Sequence, residues 1–554
     1  MKHEARLTRR DLLKLAVTTG ALSLIQACAG GGQSTPTAAP QTAAKPAAQA
    51  TAAPTVGVPA PTQAPTAIPT KEVGPKRGGT FTVAKTAAIE HFDPMRATSG
   101  HYAYQRALYN TLVRLDLDLK PQPELATKWA LSADGKAITL ELRQGVKFHS
   151  GREFTADDVK FCFDFAKTNE RNTYLSFYQR NVKQVDVTGK YTVVVRFNDI
   201  TPGVFDLLDW LFIVDKETIG DITKTANGTG PFKLEKYIPN DRVEMVAFKD
   251  YWDEGKPYLD KYVLRQIPDV SSLVINLESG AVDCIWQLSY LDTVRLKDTK
   301  KFVINPGAPG TGMFCLLINV EKEPFTNKKV RQAISWSVDR ARFCRTTLQG
   351  MAEPTCLMWP ANSWAYFKDL EGKITFDLGK AAALLSDAGL GKGFSTQIMT
   401  ASQRSYGYGD LAQILQADLK KIGVDAPVSD LEVAQFNTRY RKGEMPITVM
   451  HYSRLARHPA TMVTATVAWA SKEEQGPTQF KSAEYNRLRQ ELQLATDQEK
   501  AKAISRSIQE LALDECFVIP VSQLPRPWAY ADYVRGFGYD LEDSPLVGNV
   551  WLDK

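Results

Sequence analysis

Cys28 is the side chain most clearly placed for covalent chemistry. It ends Leu24-Ile25-Gln26-Ala27-Cys28, after a basic start (Arg6, Arg9, Arg10, Lys14) and an apolar run over 12–25. That run is too short to span a bilayer and reads as an export signal. Thr8-Arg9-Arg10-Asp11-Leu12-Leu13-Lys14 matches a twin-arginine signal, the route for proteins already folded. A thiol after the small Ala27, followed by a glycine run, matches a bacterial lipobox with Cys28 as the acylated residue. The alternative is an ordinary signal peptide with an incidental cysteine. Each buried methylene of an acyl chain anchors by ~0.8 kcal/mol, so several chains hold a protein firmly to a membrane.

The other reactive groups point away from catalysis. The sequence has no Gly-x-Ser-x-Gly and no His-Glu-x-x-His. Asp157-Asp158 stands at a predicted helix start, where capping accounts for it. The glycine pair in Asn227-Gly228-Thr229-Gly230-Pro231-Phe232 suggests a phosphate loop, but no Lys-Ser/Thr follows and no helix begins there. A tight backbone path is the expectation. His91, His101, His149, His451 and His458 lie outside the leader; His451 and His458 are seven apart in an irregular segment without carboxylates at ligand spacing, so neither a metal nor another cofactor is expected. Cys162, Cys284, Cys315, Cys344, Cys356 and Cys516 form no Cys-x-x-Cys. Most have apolar neighbours and read as buried thiols. A disulfide outside the cell stays open, with no pair named.

The chain that must position these groups is long enough, at 554 residues, for two to four domains. It is 44% hydrophobic and 23% charged, the balance of a globular protein. The net charge of +6 is scattered and partly in the leader, which argues against nucleic acid as a partner. Residues 1–28 form the signal. Residues 29–76 are rich in Ala, Pro, Thr, Gly and Gln and nearly free of large apolar side chains. Such a segment cannot bury enough surface to offset its chain entropy, so it reads as a disordered tether.

Beyond the tether, strands and helices alternate, which predicts an α/β protein. The most informative stretch is Pro123–Phe161. Ala133-Asp134-Gly135 makes a tight turn, and Ile138, Leu140 and Leu142 then alternate with Thr139, Glu141 and Arg143 as a half-buried strand. Thr155 and Asp158 form a capping box, and Val159, Cys162, Phe163 and Ala166 share one helical face. Farther on, Asn327 caps a predicted helix over 328–343, and Thr496 with Glu499 boxes the start of a long final helix. No repeat of twenty to fifty residues is present.

Ala126, Trp129, Asp134, Gly135, Leu142, Arg143, Val146, Phe148, Gly151, Thr155, Ala156, Asp158 and Val159 together resemble the signature of the family 5 extracellular solute-binding proteins. These are the peptide, dipeptide and nickel binders of ABC importers. Gly228-Thr229-Gly230-Pro231-Phe232 and the helix Val330–Phe343 extend the resemblance over nearly all of the chain after Gly78. It implies a periplasmic-binding-protein-like clamshell of class II, two lobes joined by hinge strands near Phe314–Asn319 and Phe517–Val521. Lobe I would be discontinuous (77–111, 226–313 and 520–554), with an inserted subdomain over 112–225, and lobe II would span 314–519.

The resemblance also implies the site. The family's interlobe cleft carries an aspartate for a peptide's free amine, and Arg454 stands at the matching place here. An arginine would repel an ammonium and bind a carboxylate or phosphate in two-pronged fashion. Pairing of Arg454 with an acidic neighbour, or a slipped alignment, are the alternatives. His451, Tyr452 and Trp469 are further cleft candidates, as aromatic side chains offer stacking area with a polar handle. Trp286, Tyr366 and Gln523 follow from where loops face the cleft in relatives. The expected partners are a small-molecule or peptide ligand, a membrane permease, and an ATPase on a separate chain, since no Walker motif occurs here. The chain is expected to be a monomer, lipid-anchored outside the cell, and not an enzyme. A tethered hydrolase and a sensor or chaperone-like binder are the other readings.

Overall fold

The computed structural model describes residues 74–96, 102–168, 175–222, 224–286, 288–453, 455 and 457–554. Cys28, Arg9 and Arg10, nearly all of the proposed tether, and Arg454 lie outside the described residues.

The signature stretch folds as its alternation predicts. Strands Ala126–Leu131 and Ala137–Leu142 pair antiparallel, with Trp129 opposite Leu140. Gly135 turns between them at φ 65°, and Asp134 accepts bonds from the Ser132 hydroxyl (2.6 Å) and the Lys136 N–H (3.0 Å). Ile138, Leu140 and Leu142 are buried. The helix Ala156–Thr168 follows, its start closed by Asp158 accepting the Thr155 N–H at 3.0 Å, with Val159, Cys162, Phe163 and Ala166 buried. Strands Thr192–Phe197 and Val182–Gly189 complete a four-stranded antiparallel sheet.

Two larger sheets organise the rest. A seven-stranded sheet runs in the order 302–305, 528–531, 284–286, 80–85, 261–266, 242–247, 232–238. Its strand Thr80–Lys85 pairs in parallel with both neighbours. A five-stranded sheet runs 428–430, 398–400, 447–453, 312–318, 518–523. Its strand Gly312–Ile318, between 447–453 and the edge strand 518–523, is buried at every residue, as a strand covered on both faces must be. The part built on the seven-stranded sheet, with the smaller sheet attached, is lobe I here; the part built on the five-stranded sheet is lobe II.

The chain crosses between these sheets twice, at 306–311 and at 524–527. The two crossings bond to each other's flanks: the Arg526 N–H donates to the Pro306 carbonyl and the Leu524 N–H to the Gly312 carbonyl, both at 2.9 Å. Phe314–Ile318 and Val518–Val521 lie inside the five-stranded sheet, next to these crossings.

Two helix boundaries differ from the expectation. The helix capped by Asn327 ends at Trp336, and a second, capped by Asp339, covers Arg340–Thr346. Val338 is buried and keeps the apolar face going across the break, so the sequence pattern reads as one helix. The final helix, Gln498–Glu515, is capped by Asp497, whose carboxylate accepts the Lys500 N–H, rather than by Thr496. The six described cysteines are buried free thiols.

Candidate functional site

The strand ends that flank the crossings define where the lobes face each other. In lobe I, Trp528 opens its strand directly after the second crossing and stands opposite both Trp286 and Asn305, each the last residue of its strand. Lys85 ends the next strand, beyond the Ala84–Ile285 pair. In lobe II, Met313 stands between Tyr452 and Gln523, and Gly312 is opposite Ser453. In α/β sheets, ligands sit outside such carboxyl ends of strands.

Trp286 is 2% exposed and stacks on Trp528 with ring centres 5.4 Å apart at 23°. Among the described residues, neither indole N–H has a hydrogen-bond partner. Burial lowers the Lys85 ammonium to about 7. Thr311, in the first crossing, also carries a buried hydroxyl without a partner among the described residues.

The other predicted residues divide between this region and the lobe II core. Gln523 accepts the Gly310 N–H at 3.3 Å, tying its side chain to the crossing. The Tyr452 hydroxyl donates to the Met358 carbonyl (3.1 Å), and its ring stands perpendicular to Trp469 at 5.5 Å. Trp469 is fully buried and meets Phe517 edge-on at 5.6 Å. His451 donates its N–H to the Tyr408 hydroxyl (2.9 Å), which lies 2.7 Å from its Nδ1. Burial, with Arg526 and Arg404 nearby, drives the His451 pKa well below the ordinary value, so the ring is neutral. Tyr366 is half-buried and packs against the lobe II core. The structure thus brings Trp286, Tyr452 and Gln523 to the facing strand ends and leaves Trp469 and Tyr366 within lobe II.

A charged network missing from the sequence reading also joins the lobes. Helix Val204–Trp210 carries Asp206 and Asp209 in an otherwise apolar segment, Val-Phe-Asp-Leu-Leu-Asp-Trp. Asp209 accepts from Arg106 on one oxygen (2.8 Å) and from Arg457 on the other (2.6 Å). Burial pushes its carboxyl up, but the two guanidiniums outweigh this and hold it below the usual range. Two carboxylates three apart in an apolar helix were the signal for this network; their partners, distant in sequence, were not readable.

Two grooves are lined from both lobes. One, of about 750 Å³, lies among Tyr178, Asn198, Thr201, Thr461 and Thr464. The other, of about 560 Å³, lies among Tyr290, Arg342, Tyr406 and Gln413. Among the described residues, no cluster of three or more His, Cys, Asp or Glu could hold a metal ion, and no helix is long and apolar enough to cross a membrane.

Residues 120–474 match the profile of the bacterial extracellular solute-binding proteins, family 5, middle part. The chain belongs to this family. This solute-binding protein is 31% identical to the dipeptide-binding protein of Escherichia coli (strain K12), over 71% of this chain and 80% of that one. It is 26% identical to heme-binding protein A of Haemophilus influenzae, over 85% and 92%. Among solved structures it resembles the ABC transporter-associated periplasmic binding protein DppA from Helicobacter pylori in complex with the peptide STSA. That match has a TM-score of 0.72 at 25% identity and covers 86% and 99% of the two chains. A putative peptide-binding protein AppA from Clostridium difficile shares the fold at a TM-score of 0.78 and 18% identity. The protein is therefore the extracytoplasmic substrate-binding component of an ABC importer, built as a two-lobed clamshell.

Proposed function

We propose that the solute is an organic compound of short-peptide size, captured between the facing strand ends through a carboxylate. The observation that carries this is the Trp286–Trp528 pair, whose two buried N–H groups are unbonded at the hinge end of lobe I. An unpaired buried donor costs about 1–3 kcal/mol, so a solute that accepts from both is favoured over one that cannot. Lys85 ends the neighbouring strand, and burial lowers its ammonium to about 7, which puts a titratable group beside the pair. Arg454 directly follows the strand Ile447–Ser453 and is assigned a second acceptor group of the solute. Relatives named for dipeptides and for glutathione fit a solute of this kind.

The rest of the reading completes the importer part. Cys28 is acylated, the twin-arginine signal exports the folded chain, and residues 29–76 let it reach the permease from the membrane surface. The protein works as a monomer and catalyses nothing itself. We place the lobe boundaries at the two crossings rather than inside the five-stranded sheet: lobe I comprises 77–111, 226–305 and 528–554, the insert 112–225, and lobe II 312–523.

Calorimetric titration with a panel of dipeptides, tripeptides and glutathione, each also as its carboxyl amide, tests the ligand class. Binding that weakens at least about tenfold on amidation supports it. Equal affinity for the acids and their amides contradicts it.

A further inference from the structure

Arg457 of lobe II is 1% exposed in its side chain and reaches across to lobe I. It donates to Asp209 (2.6 Å) and to Glu542 (2.8 Å), and its guanidinium lies 4.4 Å from the centre of the Trp210 ring. Trp210 donates to the same Glu542 oxygen at 3.2 Å. One helical turn on, Thr461 donates to Asp206 at 2.6 Å, and the His458 N–H donates to the same carboxylate oxygen at 3.1 Å. Two acids three apart on one helix thus meet Arg457 and Thr461, four apart on the facing segment.

This contact can separate without stranding a charge. Asp209 keeps Arg106 on its other oxygen, and Arg106 in turn holds Asp540 (2.7 Å) and Thr111 (2.8 Å) within lobe I. When the lobes part, Asp209 stays paired, while Arg457 and Glu542 return to water. The loop 540–544 also ties the contact to the hinge. Asp540 takes Arg106, Glu542 takes Arg457, and Asp543 accepts the Ala308 N–H of the first crossing at 2.6 Å.

We propose that Arg457 is a positioning residue for capture. With Asp209 and Glu542 it forms an interlobe clasp that favours the closed lobes, so it sets solute affinity through the closure equilibrium rather than as a solute contact. This rests on the reading that the solute is trapped by lobe closure.

Spin labels at K128C and K481C, replacing exposed lysines in the small sheet and in lobe II, report lobe separation by pulsed electron resonance. The full chain is stripped of solute by unfolding, refolded, and labelled once the six described thiols are again buried. Solute-free protein is expected to populate a short and a long separation. R457M is expected to raise the long-to-short ratio by about tenfold or more. E542Q leaves Arg106 and Asp209 intact and is expected to raise it by about threefold, which keeps the test open if R457M does not fold. An unchanged ratio in both variants, or a solute-free wild type wholly at the long separation, overturns the clasp. Failure of the capture reading looks different: a pool of di- and tripeptides would leave the wild-type separations unmoved.

Discussion

Trp286 and Trp528 face each other across an antiparallel pair of strands, stacked at 5.4 Å, at the point where lobe I hands the chain over to lobe II. On the proposed reading this stacked pair, its N–H groups unbonded among the described residues, is a recognition surface as well as a core contact. The fluorescence of wild-type protein is therefore expected to change on solute binding. W286F and W528F, which keep a ring and lose the N–H, are expected to fold normally and to bind about five- to tenfold more weakly in calorimetric titration. Unchanged affinity in both would remove the pair from the site.

Gly228 and Gly230 are there for space. A Cβ on Gly228 would lie 2.1 Å from the Leu108 carbonyl oxygen, and one on Gly230 would lie 2.4 Å from the Ala107 carbonyl oxygen. Neither clash can be relieved by rotating a side chain. G228A and G230A are each expected to cost more than about 3 kcal/mol, read as a lowered denaturation midpoint. G145A, where the Cβ meets open space but the backbone sits at φ 74°, is expected to cost about 1 kcal/mol.

His149 and His458 predict acid sensitivity. The His149 Nδ1 accepts the Gly228 N–H at 3.4 Å and its Nε2 faces the Gly230 carbonyl at 3.0 Å, so the neutral ring donates from Nε2. Burial pushes both histidines down to about 4. The unfolded chain takes up these protons near pH 6.5 and the native one near pH 4. Stability should therefore fall as pH drops through that window, by about 1.4 kcal/mol per pH unit for each ring. Asp543, raised by burial to about 7, acts in the opposite sense: its contribution is present at low pH and is lost as pH rises through 7. Urea midpoints between pH 4 and 7 are expected to show a shallower slope in H149Q than in wild type. An equal slope would mean that His149 titrates normally.

Cys28 and the arginine pair are tested by fractionation. C28S is expected to shift the chain from the membrane fraction to the soluble extracytoplasmic fraction, and R9K with R10K to leave it in the cytoplasm. Membrane retention of C28S would contradict acylation at that residue.

The signature hairpin and helix were legible because their order is local: Ile138, Leu140 and Leu142 alternate over one strand, and Asp158 caps its own helix. Local order also misled. Val338 extends an apolar face over the break between Trp336 and Arg340, and Thr496 stands one residue ahead of the acid that does the capping. Pairing between distant segments was not legible. Trp286 and Gln523 were named from the family resemblance; Gln523 leads into the second crossing, and Trp286 stands opposite Trp528, which follows it. Trp528 escaped because its place beside Trp286 depends on strand register between distant segments. Arg457 escaped for the same reason, as its partners come from helix 204–210 and the loop 540–544.

The central claim is that a solute sits between the two sheets, and a crystal structure of the protein with the compound that co-purifies with it tests this most directly. Density between the ends of strands 284–286 and 447–453, accepting from the indole N–H groups of Trp286 and Trp528, is the predicted result. A bound compound lying outside that space, with both indole N–H groups still unbonded, would contradict it.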